Sequence, residues 1–220
     1  MKKIEISSKI SEIAPGFRGL AISCKVENSD PNAGLWLEME QEMAAFITAN
    51  RTEDINKRAP IAATRAAYKA LGKDPNRYRP SAEALCRRIV KEKSLYRINT
   101  LVDLINLVSI RTGYSIGGFD EDKIEGDTLI LGAGKSGEVF NGIGRGPLNI
   151  EGLPVYRDAV GGIGTPTSDE ERTKISLQTN HILVIINDYS GDNGLQEAGE
   201  YMIDLLKRYG FGENFEVIHF

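Results

Sequence analysis

The spacing of apolar side chains changes along the chain, and each change predicts a change of secondary structure. Short apolar runs bounded by turn residues predict strands at Ile4–Ile6 and Phe17–Val26. From Leu35 onward the apolar residues recur every three to four positions, which predicts an amphipathic helix with an acidic outer face. The apolar face of this helix is formed by Trp36, Met39, Met43, Phe46 and Ile47.

Three more helices are predicted before the middle of the chain. Pro60 fits the first turn of a helix that runs to Leu71, because a proline there loses no hydrogen bond, and Gly72 supplies a left-handed stop. Ser81 is expected to cap the next helix. Thr100 with Asp103 has the spacing of a capping box and opens a helix that ends at Arg111.

The second half of the chain alternates short apolar runs with glycine-rich turns, which predicts strands. These are Thr128–Leu131, Val139–Phe140, Pro154–Tyr156, Ile182–Ile186 and, at the end, Phe215–Phe220. A last helix is expected between Asp192 and Gly210. We therefore predict an α+β fold over residues 1–220 as a single domain, with a helical N-terminal part packed on a mixed, largely antiparallel sheet.

Composition narrows the class of protein. The two cysteines, Cys24 and Cys86, lie far apart and outside any Cys-x-x-Cys spacing, which argues against a zinc site or disulfide framework and favours a reducing cytoplasm. No apolar run is long enough for a membrane span. With two histidines in 220 residues, a metal site has few ligands, and we expect neither a metal nor a cofactor.

The formal net charge of -4 conceals an asymmetry, because residues 57–97 carry twelve Lys and Arg against three acids. That segment has a local charge of +9, and the remainder carries -13. One interpretation is a footprint for a nucleic-acid backbone. The other is a set of solvated helix faces, since residues that cluster in sequence need not cluster in space. Arg87, Arg88, Lys91 and Lys93 are expected to face outward.

Two glycine-rich stretches suggest sites. Gly132–Gly137 has the spacing Gly-x-Gly-x-x-Gly, but a strand rather than a helix is predicted after it, so we interpret it as a hairpin turn with Lys135 in solvent. The stretch from Asp158 to Thr173 combines three glycines with many hydroxyl and charged side chains. It is either a long solvated hairpin loop or one wall of a small polar pocket. Asn106 either anchors a loop or lines the same site.

Four motifs then follow one another in order: Asp74–Ser81, Leu85–Arg88, Leu101–Asn106 and Gly113–Asp120. Together with Gly161-Gly162 and Ser168–Thr173, they resemble the tRNA-editing (B-three/B-four) domain of the phenylalanyl-tRNA synthetase beta chain, and most closely its free-standing relatives. The resemblance covers residues 55–190, so residues 1–54 and 191–220 are expected to be extensions packed on the same core. It implies an editing-domain fold without the aminoacylation apparatus.

The resemblance also implies where the chain would bind. The pocket candidates are Asn106, Phe119, Asp120, Asp158, Gly161, Gly162, Thr165, Thr167, Ser168, Asp169, Arg172 and Thr173. The candidates for contact with RNA phosphates are Arg77, Arg79, Arg87, Arg88 and Lys91. No catalytic residue is assigned.

The chain departs from the family pattern at two pocket positions. Gly117 stands where the family motif has a histidine, and Ile185 aligns with a pocket glutamate of the synthetase. Losing these groups removes a partner that could orient water and the carboxylate that would read a tyrosine hydroxyl. The resemblance therefore implies a different specificity or no hydrolysis.

Three functions remain open. The first is a stand-alone module that binds tRNA or aminoacyl-tRNA acceptor ends, with no DNA or membrane partner. The second is a deacylase that acts in trans on mischarged tRNA, an ester hydrolase and not a complete synthetase. The third is a protein that binds a small amino acid-like ligand without RNA, which the acidic net charge keeps open.

Overall fold

A computed structural model describes residues 1–92 and 94–220, and Lys93 lies outside the described residues. The helices of the described chain are α1 (Ser8–Ile13), α2 (Ala33–Ala49), α3 (Ala59–Ala70), α4 (Ser81–Glu92), α5 (Thr100–Thr112) and α6 (Leu195–Tyr209). The strands are β1 (Lys3–Ile6), β2 (Arg18–Lys25), β3 (Ser115–Asp120), β4 (Thr128–Ala133), β5 (Asn141–Gly142), β6 (Gly146–Pro147), β7 (Pro154–Arg157), β8 (Gly162–Gly164), β9 (His181–Asp188) and β10 (Glu213–His219).

The long strands form two four-stranded sheets. One has the order β10-β2-β9-β3 and is antiparallel throughout. The other has the order β1-β4-β7-β8, with β1 and β4 parallel and the remaining pairs antiparallel. The expected α+β class with largely antiparallel pairing is confirmed, although the long strands divide into two sheets where a single sheet was predicted, and β5 and β6 pair as a separate two-stranded sheet.

The β10-β2-β9-β3 sheet is the middle layer of the molecule. Its helix-facing side carries residues such as Ile116 and Val184, which pack with the apolar faces of α2, α4, α5 and α6. Its other side carries Phe119, Leu183 and Ile185, which form a second core with the β1-β4-β7-β8 sheet. Because side chains alternate across a strand, neighbouring residues of β3 face different cores.

Local signals set most helix ends as expected. Proline occupies the first turn of α3, and Gly72 after it has φ +83°. Gly113 ends α5 with φ +85°, a backbone conformation that glycine adopts without a Cβ penalty. The start of α5 differs from the predicted capping box, because Asn99 is the N-cap and accepts a hydrogen bond from Val102 N–H at 3.0 Å.

Asp103 has a different role from the predicted capping residue. Its buried carboxylate accepts hydrogen bonds from Trp36 Nε1 at 2.7 Å and from Ile98 N–H at 3.1 Å. Burial raises the pKa of Asp103, and the bond from Trp36 opposes that rise. The side chain therefore joins α5 to α2 and to the segment that carries Ile98.

Two short stretches differ from the predicted elements. Val139–Phe140 is not a strand, because Phe140 turns inward to pack with Ile150 and Val155 while its carbonyl accepts a hydrogen bond from Leu148 N–H at 2.9 Å. Gly132–Gly137 consequently does not connect two paired neighbouring strands, although Lys135 is exposed as expected. β3 carries two adjacent glycines, and α1 has only six residues, so neither gave a periodic signal.

Candidate functional site

A pocket of about 220 Å³ lies on the helix-facing side of β3. Its walls are α4, α5, β3, the loop between β5 and β6, and the segment from Thr165 to Ile175. The lining residues are Ser81, Leu85, Ile98, Val102, Ile105, Asn106, Ser109, Ile116, Gly118, Ile143, Thr165, Ser168, Asp169, Lys174 and Ile175. Seven of these fifteen residues have aliphatic side chains and seven have polar ones, so the cleft combines an apolar surface with polar groups that can orient a ligand.

Asp169 supplies the carboxylate of the pocket. Its Oδ2 accepts a hydrogen bond from Gly118 N–H at 3.2 Å, on the free edge of β3. Desolvation raises the pKa of Asp169 to about 7, and the Gly118 bond opposes part of that rise. No Lys, Arg or His of the described residues forms an ion pair with this carboxylate, which leaves a desolvated acid facing the pocket.

The hydroxyl-rich turn before Asp169 is closed on itself. Thr165 Oγ1 accepts hydrogen bonds from the backbone N–H of Thr167 at 3.1 Å and of Ser168 at 3.0 Å. The turn is also held from outside, because Ser81 N–H donates to Pro166 O at 2.7 Å and the hydroxyls of Thr167 and Tyr68 lie 2.8 Å apart. The turn is therefore a fixed wall of the pocket, with Ser168 and Asp169 at its inner edge.

Asp158 and Arg172, both pocket candidates, bind each other instead of lining the pocket. Arg172 donates to both carboxylate oxygens at 2.9 Å, in the bidentate geometry of a strong ion pair. Asp158 also accepts the N–H groups of Glu125, Val160 and Gly161. Burial alone would raise the pKa of Asp158, but Arg172 and these amides lower it on balance. The ion pair therefore stabilises the conformation of the turn that contains Gly161.

Other pocket candidates also lie outside the lining. The Phe119 ring is buried between the two sheets, and Thr173 is fully buried. Asp120 Oδ2 accepts the hydroxyl of Thr179 and pairs with Lys123, both at 2.9 Å. Gly161 borders no side chain, whereas Gly162 faces Phe140 and Val155. Of the twelve candidates, the structure brings together Asn106, Thr165, Ser168 and Asp169 in the pocket.

The two positions at which we expect a departure from the family pattern lie opposite each other. Gly117 of β3 and Ile185 of β9 are register partners. Ile185 is fully buried in the core between the sheets, and a Cβ added at Gly117 would lie 2.8 Å from the Phe119 ring and 3.6 Å from Asp169 Oδ1. The Phe119 ring therefore occupies the space that a histidine at position 117 would need.

A basic groove adjoins the pocket. It is lined by Arg79, Ser81, Ala84, Leu85, Arg87, Arg88, Lys91, Asn106, Arg145 and Thr167. Ser81, Leu85 and Asn106 line both the groove and the pocket, so the two cavities share a wall. Arg79, Lys91 and Arg145 are exposed, and their side chains make no hydrogen bond or ion pair with the described residues. These three cations can therefore meet an anion without breaking an existing contact.

Other cations of the basic segment serve the fold. Arg65 binds Glu83 at 2.7 Å, and Glu83, which is fully buried, also binds Arg87 at 2.7 Å. Arg58 donates to Ile110 O and Arg111 O, and Lys73 donates to two backbone carbonyls. The +9 of the segment is thus divided among bonds within the fold, the groove, and exposed cations outside the groove such as Lys69.

Two of the proposed RNA contacts have aromatic neighbours. Arg77 lies outside the groove lining, with its guanidinium 5.7 Å from the centre of the Tyr78 ring. Arg88 lines the groove and stacks on Tyr96 at 3.9 Å. Tyr96 is itself exposed, so a flat guanidinium and an aromatic ring lie together beside the groove.

Sequence reasoning missed several residues of this site. Ile98 and Ile143 reach the pocket although they are exposed apolar residues in segments without periodicity, and Arg145 follows between two glycines. Lys174 and Ile175 come directly after the predicted loop. The sequence did contain one indication of this part of the site. The glycine-rich stretch 142–146 includes an isoleucine and an arginine, and a turn that only contacts solvent requires neither residue.

Neither a metal centre nor a membrane span is found in residues 1–92 and 94–220. Within that part of the chain, no group of three or more His, Cys, Asp or Glu side chains is arranged to hold a metal ion. No described helix is both long and apolar enough to cross a bilayer.

Comparisons with known proteins agree with the fold. No curated protein matches the chain in sequence. The structure is similar to the crystal structure of an N-terminal fragment of the phenylalanyl-tRNA synthetase beta-subunit from Pyrococcus horikoshii, with a TM-score of 0.52 and 14% sequence identity. The match covers 99% of this chain and 53% of the fragment, so this chain spans about half the length of its relative.

The family model is the stronger finding, because it rests on sequence and covers more than half of the chain. It describes the B3/4 domain and matches residues 63–209, a range that includes α4, α5, β3 and the pocket segment. The resemblance deduced from the ordered motifs is confirmed. This chain belongs to the B3/4 domain family.

Proposed function

We propose that this chain binds the acceptor end of tRNA or aminoacyl-tRNA. The observation that carries the proposal is the shared wall of the basic groove and the apolar pocket. A groove of cations suits a phosphate backbone, and an adjoining pocket suits the group that the RNA end carries. Membership of the B3/4 family and the likeness to a synthetase fragment support the same function.

The groove would hold the phosphates through Arg79, Lys91 and Arg145, which have no competing partner among the described residues. Arg87 is already tied to Glu83, so it contributes less freely. Each phosphate that is neutralised releases counterions, so the affinity must fall as salt rises. The acidic remainder of the chain would repel RNA elsewhere and direct it to this side.

The test is equilibrium binding of a tRNA acceptor-stem RNA at several salt concentrations. Three phosphate contacts predict a slope of log K against log salt of about -2 to -3. Arg79→Ala/Lys91→Ala should make the slope about two units shallower, whereas the exposed pair Lys25→Ala/Lys69→Ala, which removes the same charge outside the groove, should leave it unchanged. Absence of binding at low salt, or equal effects of the two variants, would contradict the proposal. A DNA duplex of the same sequence is the specificity control.

Hydrolysis of an aminoacyl ester is a second candidate, favoured by Asp169. A carboxyl whose pKa lies at about 7 is suited to take a proton from water near neutral pH. The expected result is loss of ester from at least one mischarged tRNA at a rate above buffer, abolished in Asp169→Asn. No ester loss from any tRNA of a full panel would leave binding as the function. Ligand binding without RNA binding would instead favour a small-molecule binding protein.

A further inference from the structure

The apolar pocket combines aliphatic side chains with one carboxylate, and this combination indicates which ligands it can bind. Every element of its wall contributes an aliphatic side chain: Leu85 of α4, Ile105 of α5, Ile116 of β3, and Ile143 and Ile175 of the loops. Its volume of about 220 Å³ exceeds the ~150 Å³ of an engineered apolar cavity that admits benzene. The pocket can therefore take an apolar group of the size of an amino-acid side chain.

Three of the four hydroxyls that line the pocket already have hydrogen-bond partners, and the fourth, that of Ser81, lies where the pocket meets the groove. Ser109 donates to Tyr114 O, Ser168 donates to Asp169 O, and Thr165 is engaged in its own turn. A polar ligand group buried among them would compete with existing bonds and lose its hydration. The pocket therefore favours a ligand that is apolar at the end away from Asp169.

Asp169 is the exception in this wall, because its carboxylate is desolvated and its one hydrogen-bond donor in the described chain is Gly118 N–H. Lys174 also lines the pocket, but its ammonium is paired with Glu171. The parts of α4, α5 and β3 that line the pocket contribute no charged side chain to it, and the cations that adjoin it, apart from Lys174, line the groove. A carboxylate in such surroundings is stabilised by a cation that a ligand brings.

We propose that the pocket binds an α-amino acyl group with an apolar side chain, and that Asp169 pairs with its ammonium. The inference rests on the proposed function and names the class of acyl group. A free amino acid would bring a second carboxylate close to Asp169, where like charges repel, whereas an ester has none. The pocket therefore selects esterified amino acids, the form carried by an RNA end. Asn106, whose amide makes no hydrogen bond with the described residues, lies where the pocket meets the groove and can bind the ester carbonyl.

The test uses small esters without RNA, so it does not depend on the groove. The probes are leucine methyl ester, free leucine, serine methyl ester and methyl 4-methylpentanoate, which keeps the leucine skeleton but lacks the ammonium. Calorimetry at about pH 7 should show leucine methyl ester binding at least about tenfold more tightly than each other probe, since ~1.4 kcal/mol corresponds to a tenfold change. Equal binding of the ester and its analogue without ammonium would overturn the proposal, as would absence of binding.

Two variants and a pH series complete the test. Asp169→Asn keeps an oxygen for Gly118 N–H and should remove the advantage of the ammonium, whereas Asp122→Asn, whose carboxylate pairs with exposed His181, should not. The affinity of native protein for leucine methyl ester should fall about tenfold between about pH 7 and pH 5.5, because a protonated Asp169 cannot pair with a cation. An unchanged affinity in Asp169→Asn would contradict the assignment. Ester binding without RNA binding would refute the proposed function and leave this inference standing.

Discussion

Gly117 and Gly118 are adjacent in β3 but face opposite sides of the strand, and their surroundings differ. On the face toward the second sheet, the space beside Gly117 is filled by the rigid ring of Phe119, which also closes over Gly164. On the helix-facing side, the space beside Gly118 is bordered by the terminal methyl groups of Ile105 and Ile175, which belong to the pocket wall. One face is therefore a closed core and the other is an adjustable binding surface.

This difference bears on position 117, where the resemblance to the editing domain predicts a histidine. A histidine at position 117 would require the Phe119 ring to move, and the residue opposite it, Ile185, completes the same apolar core. The Phe119 ring leaves no room there for a larger side chain at position 117. The carboxylate of Asp169 lies at the edge of β3, with Oδ1 3.6 Å from the Cβ position of Gly117 and Oδ2 bonded to Gly118 N–H, and it lines the pocket.

The largest effect should come from removing the ring that closes the inner face. Phe119→Ala leaves a cavity between the sheets and is expected to lower the free energy of unfolding by about 3–5 kcal/mol, measured by urea denaturation. Phe211→Ala deletes the same group from an exposed position and should change it by less than about 0.5 kcal/mol. A loss below about 1 kcal/mol for Phe119→Ala would show that the face is not closed.

The adjacent glycines allow a direct comparison of the two faces. In Gly117→Ala the new Cβ meets the buried Phe119 ring at 2.8 Å, and overpacking should cost about 1–3 kcal/mol. In Gly118→Ala the contact is with Ile105 Cδ1 at 2.4 Å, a flexible end that can turn into the pocket, so the cost should stay below about 1 kcal/mol. Gly118→Ala should instead weaken binding of leucine methyl ester. A reversed order of stabilities would contradict the comparison.

A smaller effect is expected from the pH dependence of Asp169. Its pKa is raised from 3.8 to about 7 in the folded protein, so its contribution to stability is present below pH 3.8 and is lost as the pH rises through about 7. Asp169→Asn should remove this dependence and raise the free energy of unfolding at neutral pH by about 1 kcal/mol, a value reduced for contact with pocket water. Denaturation curves at several pH values measure it. If the free energy of unfolding depends on pH in the same way in the native protein and in the variant, the claim that the Asp169 carboxylate is desolvated would be contradicted.

The smallest change in stability should follow a substitution at the rim of the pocket. Ile143 is 41% exposed, so Ile143→Ala is expected to alter the free energy of unfolding by less than about 0.5 kcal/mol. Its side chain still lines the pocket, so the affinity for an apolar ester should fall. A change in thermal stability without a change in ester affinity would show that Ile143 supports the fold and not the site.

The sequence predicts the helices well because their signals are local. The proline of α3 and the left-handed Gly72 and Gly113 each act within one turn of the chain, and the apolar stripe of α2 recurs within a single segment. It predicts β3 poorly, because two glycines provide no alternation and the strand is defined by pairing with distant β9. The division of strands into two sheets likewise depends on contacts that are remote in sequence.

The site was predictable in part for the same reason. Asn106 and Asp169 stand in ordered motifs, and the structure brings them into one pocket. The sequence could not show that Asp158 and Arg172 satisfy each other, because their bond depends on how the turn folds back. It also could not distinguish the groove cations from Arg58 and Arg65, whose bonds to the fold join distant segments. The roles of the pocket and groove residues in binding remain predictions.

The central claim, that groove and pocket act together on one RNA end, is tested most directly by comparing uncharged and leucyl-charged acceptor-stem RNA. We predict that the native protein binds the leucyl-charged RNA more tightly than the uncharged RNA. Asp169→Asn should lose this preference and keep the native affinity for uncharged RNA. Arg79→Ala/Lys91→Ala should lower the affinity for both RNAs by the same factor. Equal affinity of native protein for the two RNAs would contradict the claim.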